Sequence, residues 1–183
     1  MNCEYIDVLQ LHDPEFAPNM NILMKETIPA LMECRKRGWT KAVGLTGYPL
    51  EVQHEILVKC SKNFKDGLIF DQSLVYCHNN LHDMSLFRGS CCMLSSGIDT
   101  SDPKASMMTF VEFCQQSGIS LICAAPLSMG LLTNFTPPNW HPAPSSLKEA
   151  CAEAAALCRS IDVDISSLAI LVSVESLINY LLL

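Results

Sequence analysis

His12 is the first residue along the chain that could do chemistry. It ends an apolar alternation (Ile6, Val8, Leu9, Leu11) and is followed at once by Asp13-Pro14. Such a run predicts a buried strand that stops at a Pro-marked turn, with the imidazole delivered at its C-terminal end. An imidazole titrates near neutral pH, so it can move a proton or hold an oxygen. In a parallel α/β barrel the C-terminal rim is where such groups are assembled. The chain therefore reads as part of an enzyme. Cys77, His78 and His82 bring metal-binding residue types together, but the spacing is loose and no second ligand pair stands nearby, so no metal is expected. Cys91-Cys92 lies in a stretch of loop composition and reads as incidental rather than as a redox pair. Trp140 and His141, in the run Pro-Pro-Asn-Trp-His-Pro (137–142), have two open readings. They line a substrate pocket, or Trp140 packs a Pro-stiffened loop onto the sheet edge.

The 183 residues are enough for one domain with a real core. They are 49% hydrophobic and 17% charged, which excludes a disordered chain. The net charge of −7 argues against a nucleic-acid partner, because neutralising phosphates needs a basic surface. The mean hydropathy of +0.23 fits apolar faces that expect further neighbours. Most of the ten cysteines fall in periodic segments as small core residues would, and the acidic N-terminal stretch is not expected to be a signal peptide. A reducing, cytoplasmic setting is expected. The apolar run 167–183 is short for a bilayer and is interrupted by Glu175 and Asn179, so a buried helix with an apolar tail is expected and no membrane partner.

Strand and helix signals alternate. Strands are expected at 5–12, 40–46, about 68–76 and 119–125, the last a continuous apolar run typical of a strand covered on both faces. The first helix is expected to start at Thr27 with Pro29 in its first turn, and to stop at Gly38. Pro49 opens the second, with Val52, Ile56 and Cys60 inward. The third follows Ser101-Asp102-Pro103, with Met107, Phe110, Val111 and Cys114 inward. Ser146 with Glu149 has capping-box spacing for the fourth, whose inner face is Leu147, Cys151, Ala154 and Cys158. A last helix begins near 164–168. The pattern predicts parallel strands with right-handed crossovers. No Gly-rich phosphate loop follows any strand, which tilts the fold toward a barrel, of which four strands are visible. Residues 87–106 read as an inserted loop.

Four segments resemble the aldo-keto reductases, in their L-galactose dehydrogenase-like branch: YIDVLQLHDPE (5–15), ETIPALMECRKRGWTKAVGLTGYPLE (26–51), YCHNNLHD (76–83) and LICAAPLSMGLLTNFTPPNWHPAP (121–144). The last is the most specific. The resemblance implies a (β/α)8 barrel, here strands four to seven, in a single partial domain with an unmatched tail at 175–183. It implies NAD or NADP as cofactor and a small sugar or aldehyde as substrate. Catalysis in this family uses a Tyr as general acid or base, a Lys and an Asp that tune it, and a His that orients the substrate oxygen. His12 matches that His. The other three come from earlier strands and have no match in this chain. Thr46 and Gly47 match the site that holds the nicotinamide amide, with Gly47 in place of an Asn common in other branches. The family's Gln on strand six falls at Leu74. Ala125, Leu127, Ser128 and Gly130 match the turn that wraps the pyrophosphate. The ordinary alternative for Thr46 and Ser128 is that each hydroxyl merely caps a turn.

Two expectations follow. The sequence is expected to encode an NAD(P)-dependent aldose 1-dehydrogenase or carbonyl reductase. The chain by itself is expected to be a catalytically inactive fragment, or a splice product, that self-associates through open sheet edges.

Overall fold

The computed structural model describes residues 3–64, 69–88 and 108–181. β1 (Ile6–His12) pairs in parallel with β2 (Thr40–Gly47), and β2 pairs in parallel with β3 (Gln72–Tyr76). β4 (Ser120–Ala124) completes the order β1-β2-β3-β4. Strand order follows sequence order with no switch. With right-handed crossovers, such an order keeps successive helices on one face, the winding of a barrel, whereas a doubly wound sheet reverses at a switch point. The fold is thus α/β, with four parallel strands in one open sheet of the kind that forms part of a (β/α)8 barrel.

Side chains alternate between the two faces of each strand. Val43, Leu45, Ser73 and Val75 lie on the helix-covered face and are fully buried. Against them α3 (Leu50–Asn63) buries Ile56, Leu57 and Cys60, each worth about 1.5–3 kcal/mol for the larger side chains. The opposite face carries Val8, Gln10 and His12 of β1 and Gln72 and Leu74 of β3, all at least partly exposed. At the start of the ladder Asp71 does double duty. Its N–H donates to the Val43 carbonyl at 2.8 Å, and its carboxylate accepts the Val43 N–H at 2.7 Å. The same carboxylate pairs with Arg35 of α2 (Ile28–Lys36), which ties that helix to β2 and β3.

The helix boundaries depart from expectation where proline intervenes. Thr27 is no cap. A turn at Met20–Ile22 (α1), capped by the Asn19 side chain, runs into a π-helical stretch Leu23–Thr27 and then into α2. Pro29 has no N–H and its ring would strike the carbonyl four residues back, and the wider π turn relieves this. α4 begins at Phe110 behind a capping box of Thr109 and Glu112, later than the expected start after Pro103; Met107 lies outside the described residues. α5 (Ser145–Ser160) has Pro144, not Ser146, at its N-cap, and Leu147 and Lys148 donate to the Pro144 carbonyl. Its buried stripe uses Ala155 in place of the expected Ala154, which is exposed. β4 is not covered on both faces, since Ile122 is 40% exposed.

The described residues gather into two compact units. One is built from Met1–Tyr76 and Leu86–Ile122, the other from Cys77–Ser85 and Cys123–Leu183. The second has its own core of Leu131, Leu132, Cys151, Ala155, Ile165 and Ala169. α6 (Ile165–Leu181) takes in the expected tail as far as Leu181, residues 182–183 lying outside the described residues, and Ile170, Leu171, Val174 and Ile178 on it are exposed. Among the described residues no helix is long and apolar enough to cross a membrane. Of the stretch 87–106, only Phe87 and Arg88 are described.

His54 of α3 is fully buried, with its ring edge-on to Phe113 at 4.5 Å between centroids. Burial pushes its imidazole below its usual 6.5. The folded chain therefore holds His54 neutral, while the unfolded chain takes up a proton once pH falls below that value. The associated stability is present above pH 6.5 and is lost as pH drops through the folded value. The depressed carboxylates Glu33 and Asp164 act in the same direction only below their ordinary values of 4.5 and 3.8. The urea midpoint is therefore expected to fall between about pH 7 and 5, and to fall less in a His54→Phe variant.

Candidate functional site

In the first unit, His12, Thr46 and Leu74 stand in one row across the C-terminal ends of β1, β2 and β3. Gln10, Gly44 and Gln72 form the row beneath. Gly44 leaves room for both glutamines, since a Cβ there would lie 2.8 Å from Gln10 Cγ and 3.0 Å from Gln72 Cγ. The His12 side chain is 72% exposed, and its Nδ1 is 3.1 Å from the Asp13 carboxylate. Asp13 holds a left-handed backbone (φ 49°), which Asp tolerates better than most residues, and its N–H donates to the Thr46 carbonyl at 2.8 Å. Thr46 itself is buried.

Next to this row the chain turns back through Pro14–Phe16 and brings Glu15 against Gly47. Glu15 Oε1 accepts the Tyr48 N–H at 2.9 Å. Glu15 Oε2 is buried and has no hydrogen-bond partner among the described residues. A Cβ on Gly47 would sit 2.6 Å from that oxygen and 3.3 Å from Pro14 Cδ. From behind, the fully buried Gln53 of α3 donates to the Gly47 carbonyl at 2.9 Å and accepts from the Ser73 hydroxyl at 2.6 Å. Its amide also reaches the Leu74 carbonyl at 3.4 Å. The end of β2 and the middle of β3 are thereby tied by one side chain.

In the second unit, Ala125, Ser128, Met129 and Gly130 all have positive φ (57°, 49°, 54° and 98°), so the chain after β4 is a tight irregular turn. The Leu127 carbonyl accepts the N–H groups of Gly130 and Leu132. Two imidazoles grip Ser128. Its hydroxyl lies 2.7 Å from His82 Nε2, and its carbonyl 3.2 Å from His141 Nε2. His141 Nδ1 accepts the Ala143 N–H at 3.1 Å, which places its proton on Nε2 and makes Nε2 the donor to Ser128. Trp140 stacks beside His141 with planes 15° apart and is 71% exposed. A cleft of about 500 Å³ opens between residues 131–139 and α5, lined by Phe135, Pro138, Lys148 and Arg159 among others, with neither Trp140 nor His141 in its wall. Cys77, His78 and His82 do not converge. The Cys77 thiol faces the Ala125 carbonyl, and His78 Nδ1 meets the Ser85 hydroxyl at 2.7 Å.

The structure thus brings His12, Thr46 and Gly47 together in one unit, and Ala125, Leu127, Ser128, Gly130 and His141 together in the other. Sequence reasoning missed Glu15, Gln53 and His82 as parts of these clusters. The signal for Glu15 was the Asp-Pro-Glu turn directly after His12; for Gln53 it was an amide on the inward face of an otherwise apolar helix stripe.

Gly47→Ala tests the cradle. The added methyl meets the far end of a flexible side chain, so Glu15 swings aside and the Tyr48 contact is lost. That loss and the entropy gained by removing a glycine are each about 1 kcal/mol. The stability of Gly47→Ala is therefore expected within about 1 kcal/mol of the parent in urea unfolding.

The sequence profile of the Aldo/keto reductase family matches residues 1–171. L-galactose dehydrogenase of Arabidopsis thaliana is 32% identical over 170 residues, 93% of this chain and 45% of that protein. D-arabinose 1-dehydrogenase of Saccharomyces cerevisiae is 28% identical over 171 residues, 92% of this chain and 44% of that one. The chain thus spans less than half the length of both relatives. Among solved structures, a Bombyx mori aldo-keto reductase in complex with NADP has 16% identity and a TM-score of 0.47, covering 91% of this chain and 44% of that one. The chain belongs to the Aldo/keto reductase family.

Proposed function

We propose that this chain carries the substrate-orienting histidine and much of the cofactor cradle of an NAD(P)-dependent sugar 1-dehydrogenase. The observation that carries the reading is the family match over 1–171, with two sugar dehydrogenases among the relatives. The residues fit a nicotinamide nucleotide. Glu15 Oε2 is a buried acceptor without a partner among the described residues, and it lies where a side chain at position 47 would stand. A bound nicotinamide supplies the carbon that takes or gives the hydride. In this reading Thr46 and Gly47 hold its amide, and Ala125, Leu127, Ser128 and Gly130 wrap the pyrophosphate. His12, open to solvent at the strand end, orients the sugar oxygen. Trp140 offers the sugar an exposed aromatic face, and His141 braces it from below. NAD and NADP are both compatible with these residues, and the substrate is an aldose oxidised at C1 or a carbonyl reduced.

A second reading rests on a specific feature: none of the family's Tyr, Lys and Asp has a match in this sequence. Oxidising an aldose at C1 removes a hydride and a hydroxyl proton, and the family's Tyr that would take the proton is among the residues without a match. The 183-residue polypeptide is then a binding remnant, inactive alone. In this view β1 and β4 leave strand edges open, and the exposed apolar residues of α6 add to the tendency to associate.

The purified chain is expected to produce no NAD(P)H above background with L-galactose or D-arabinose, while a protein extended to the full length of its relatives turns over at least one aldose. Steady turnover by the chain alone would overturn the second reading; a silent extended protein would overturn the first. In sedimentation velocity the chain is expected to run as dimers or larger species, and a clean monomer would count against the open edges.

A further inference from the structure

We infer that Glu15 is a cofactor-binding residue whose Oε2 accepts the N–H of the nicotinamide carboxamide. The inference rests on the reading that the nicotinamide lies against Thr46 and Gly47, and it assigns a contact that no motif match supplied. Three observations converge. The side chain is oriented, because Oε1 accepts the Tyr48 N–H at 2.9 Å. The second oxygen is buried without a partner among the described residues, an arrangement that costs free energy until a donor arrives. And that oxygen occupies the space a side chain at position 47 would fill, 2.6 Å from the absent Cβ. Where other branches place an Asn side chain, this chain has a glycine and brings in a carboxylate from the neighbouring strand end. A carboxylate only accepts, so its ligand must offer a donor, and the carboxamide NH₂ is the donor that the nicotinamide ring carries. Behind the site, Gln53 holds the Gly47 carbonyl, which keeps the peptide plane from drifting as the ligand enters.

The test compares ligands that differ only at that donor. NAD⁺, NADP⁺ and their 3-acetylpyridine analogues, which lack the NH₂, are titrated into the 183-residue chain by calorimetry, with ADP-ribose as the nucleotide without a ring. Glu15→Gln keeps the shape and an acceptor for Tyr48, but turns an NH₂ toward the ligand, so donor meets donor. Its fold is checked by its urea midpoint. The parent is expected to prefer the carboxamide nucleotide over its acetylpyridine analogue about tenfold, as for a hydrogen bond to a charged group. Glu15→Gln is expected to lose about that factor on the carboxamide ligand and almost nothing on the analogue. The carbon NMR signal of the Glu15 carboxyl is expected to move on adding NAD⁺ and not on adding ADP-ribose. Equal losses on both ligands, no loss, or a loss that appears only with an aldose each overturn the inference. If ADP-ribose binds as well as NAD⁺, the nucleotide reading stands and the Glu15 contact falls; if no nucleotide binds the parent, both fall.

Discussion

The structure of the first unit depends on the two-sided pairing of β2. β1 takes one edge of this strand and β3 the other, and Val43 and Leu45 are completely buried on its helix-covered side. A ladder paired on both edges has no register freedom left, because a one-residue slip would turn Val43 and Leu45 outward. Each end is then locked by one polar side chain. Asp71 satisfies Val43 at the start, and Gln53 satisfies Gly47 and Leu74 at the finish. The row His12, Thr46 and Leu74 is a consequence of that register. No loop has to be specially folded to bring the imidazole beside the threonine.

Several buried polar groups satisfy one another. Gln53 and Ser73 are fully buried and satisfy one another and the adjoining carbonyls. Asn80 closes its own loop, donating to Cys77 and accepting from His82 and Asp83. His82 and His141 settle the two polar ends of Ser128. Burial pushes the Cys60 thiol up to about 12, so that group stays protonated and inert in the core. Glu15 Oε2 and Arg35 Nε are among the buried atoms without a hydrogen-bond partner among the described residues. Glu15 differs in its place, beside Gly47 at the end of β2 and next to the candidate site.

The strands were legible because their signals are local. The apolar runs put all four where they are, and Gly38, with φ at 75°, ends α2 as a glycine should. The misreadings have a common physical source in proline and close packing. Thr27 has the composition of a cap, but Pro29 recruits the preceding turn into a π-helix, an effect decided by backbone sterics several residues away. Ser146 and Glu149 have the right spacing, yet Pro144 has already fixed an extended N-cap and offers its carbonyl. Ala154 and Ala155 are equally apolar, and only the packing against Ile165 and Ala169 selects the second. For the candidate site, the residues alone pointed to His12 and, as one of two readings, to Trp140 and His141. Thr46, Gly47 and the 125–130 turn became visible through family resemblance. Glu15 requires knowing that the turn after β1 folds back onto the end of β2.

The geometry at His12 separates what this chain holds from what it does not match. The Asp13 carboxylate engages Nδ1 at 3.1 Å, and the side chain is 72% exposed, so the rest of the ring is open to a ligand. In the proposed reading the imidazole orients a substrate oxygen, which needs a hydrogen-bonding atom in the right place. The group that carries the proton away needs a tuned pKa beside the reacting carbon. His12 has its position from its own strand and turn. In the proposed reading the proton transfer falls to the family's phenol, which this sequence does not match, and the imidazole and the cradle at Gly47 form the binding part of the reaction.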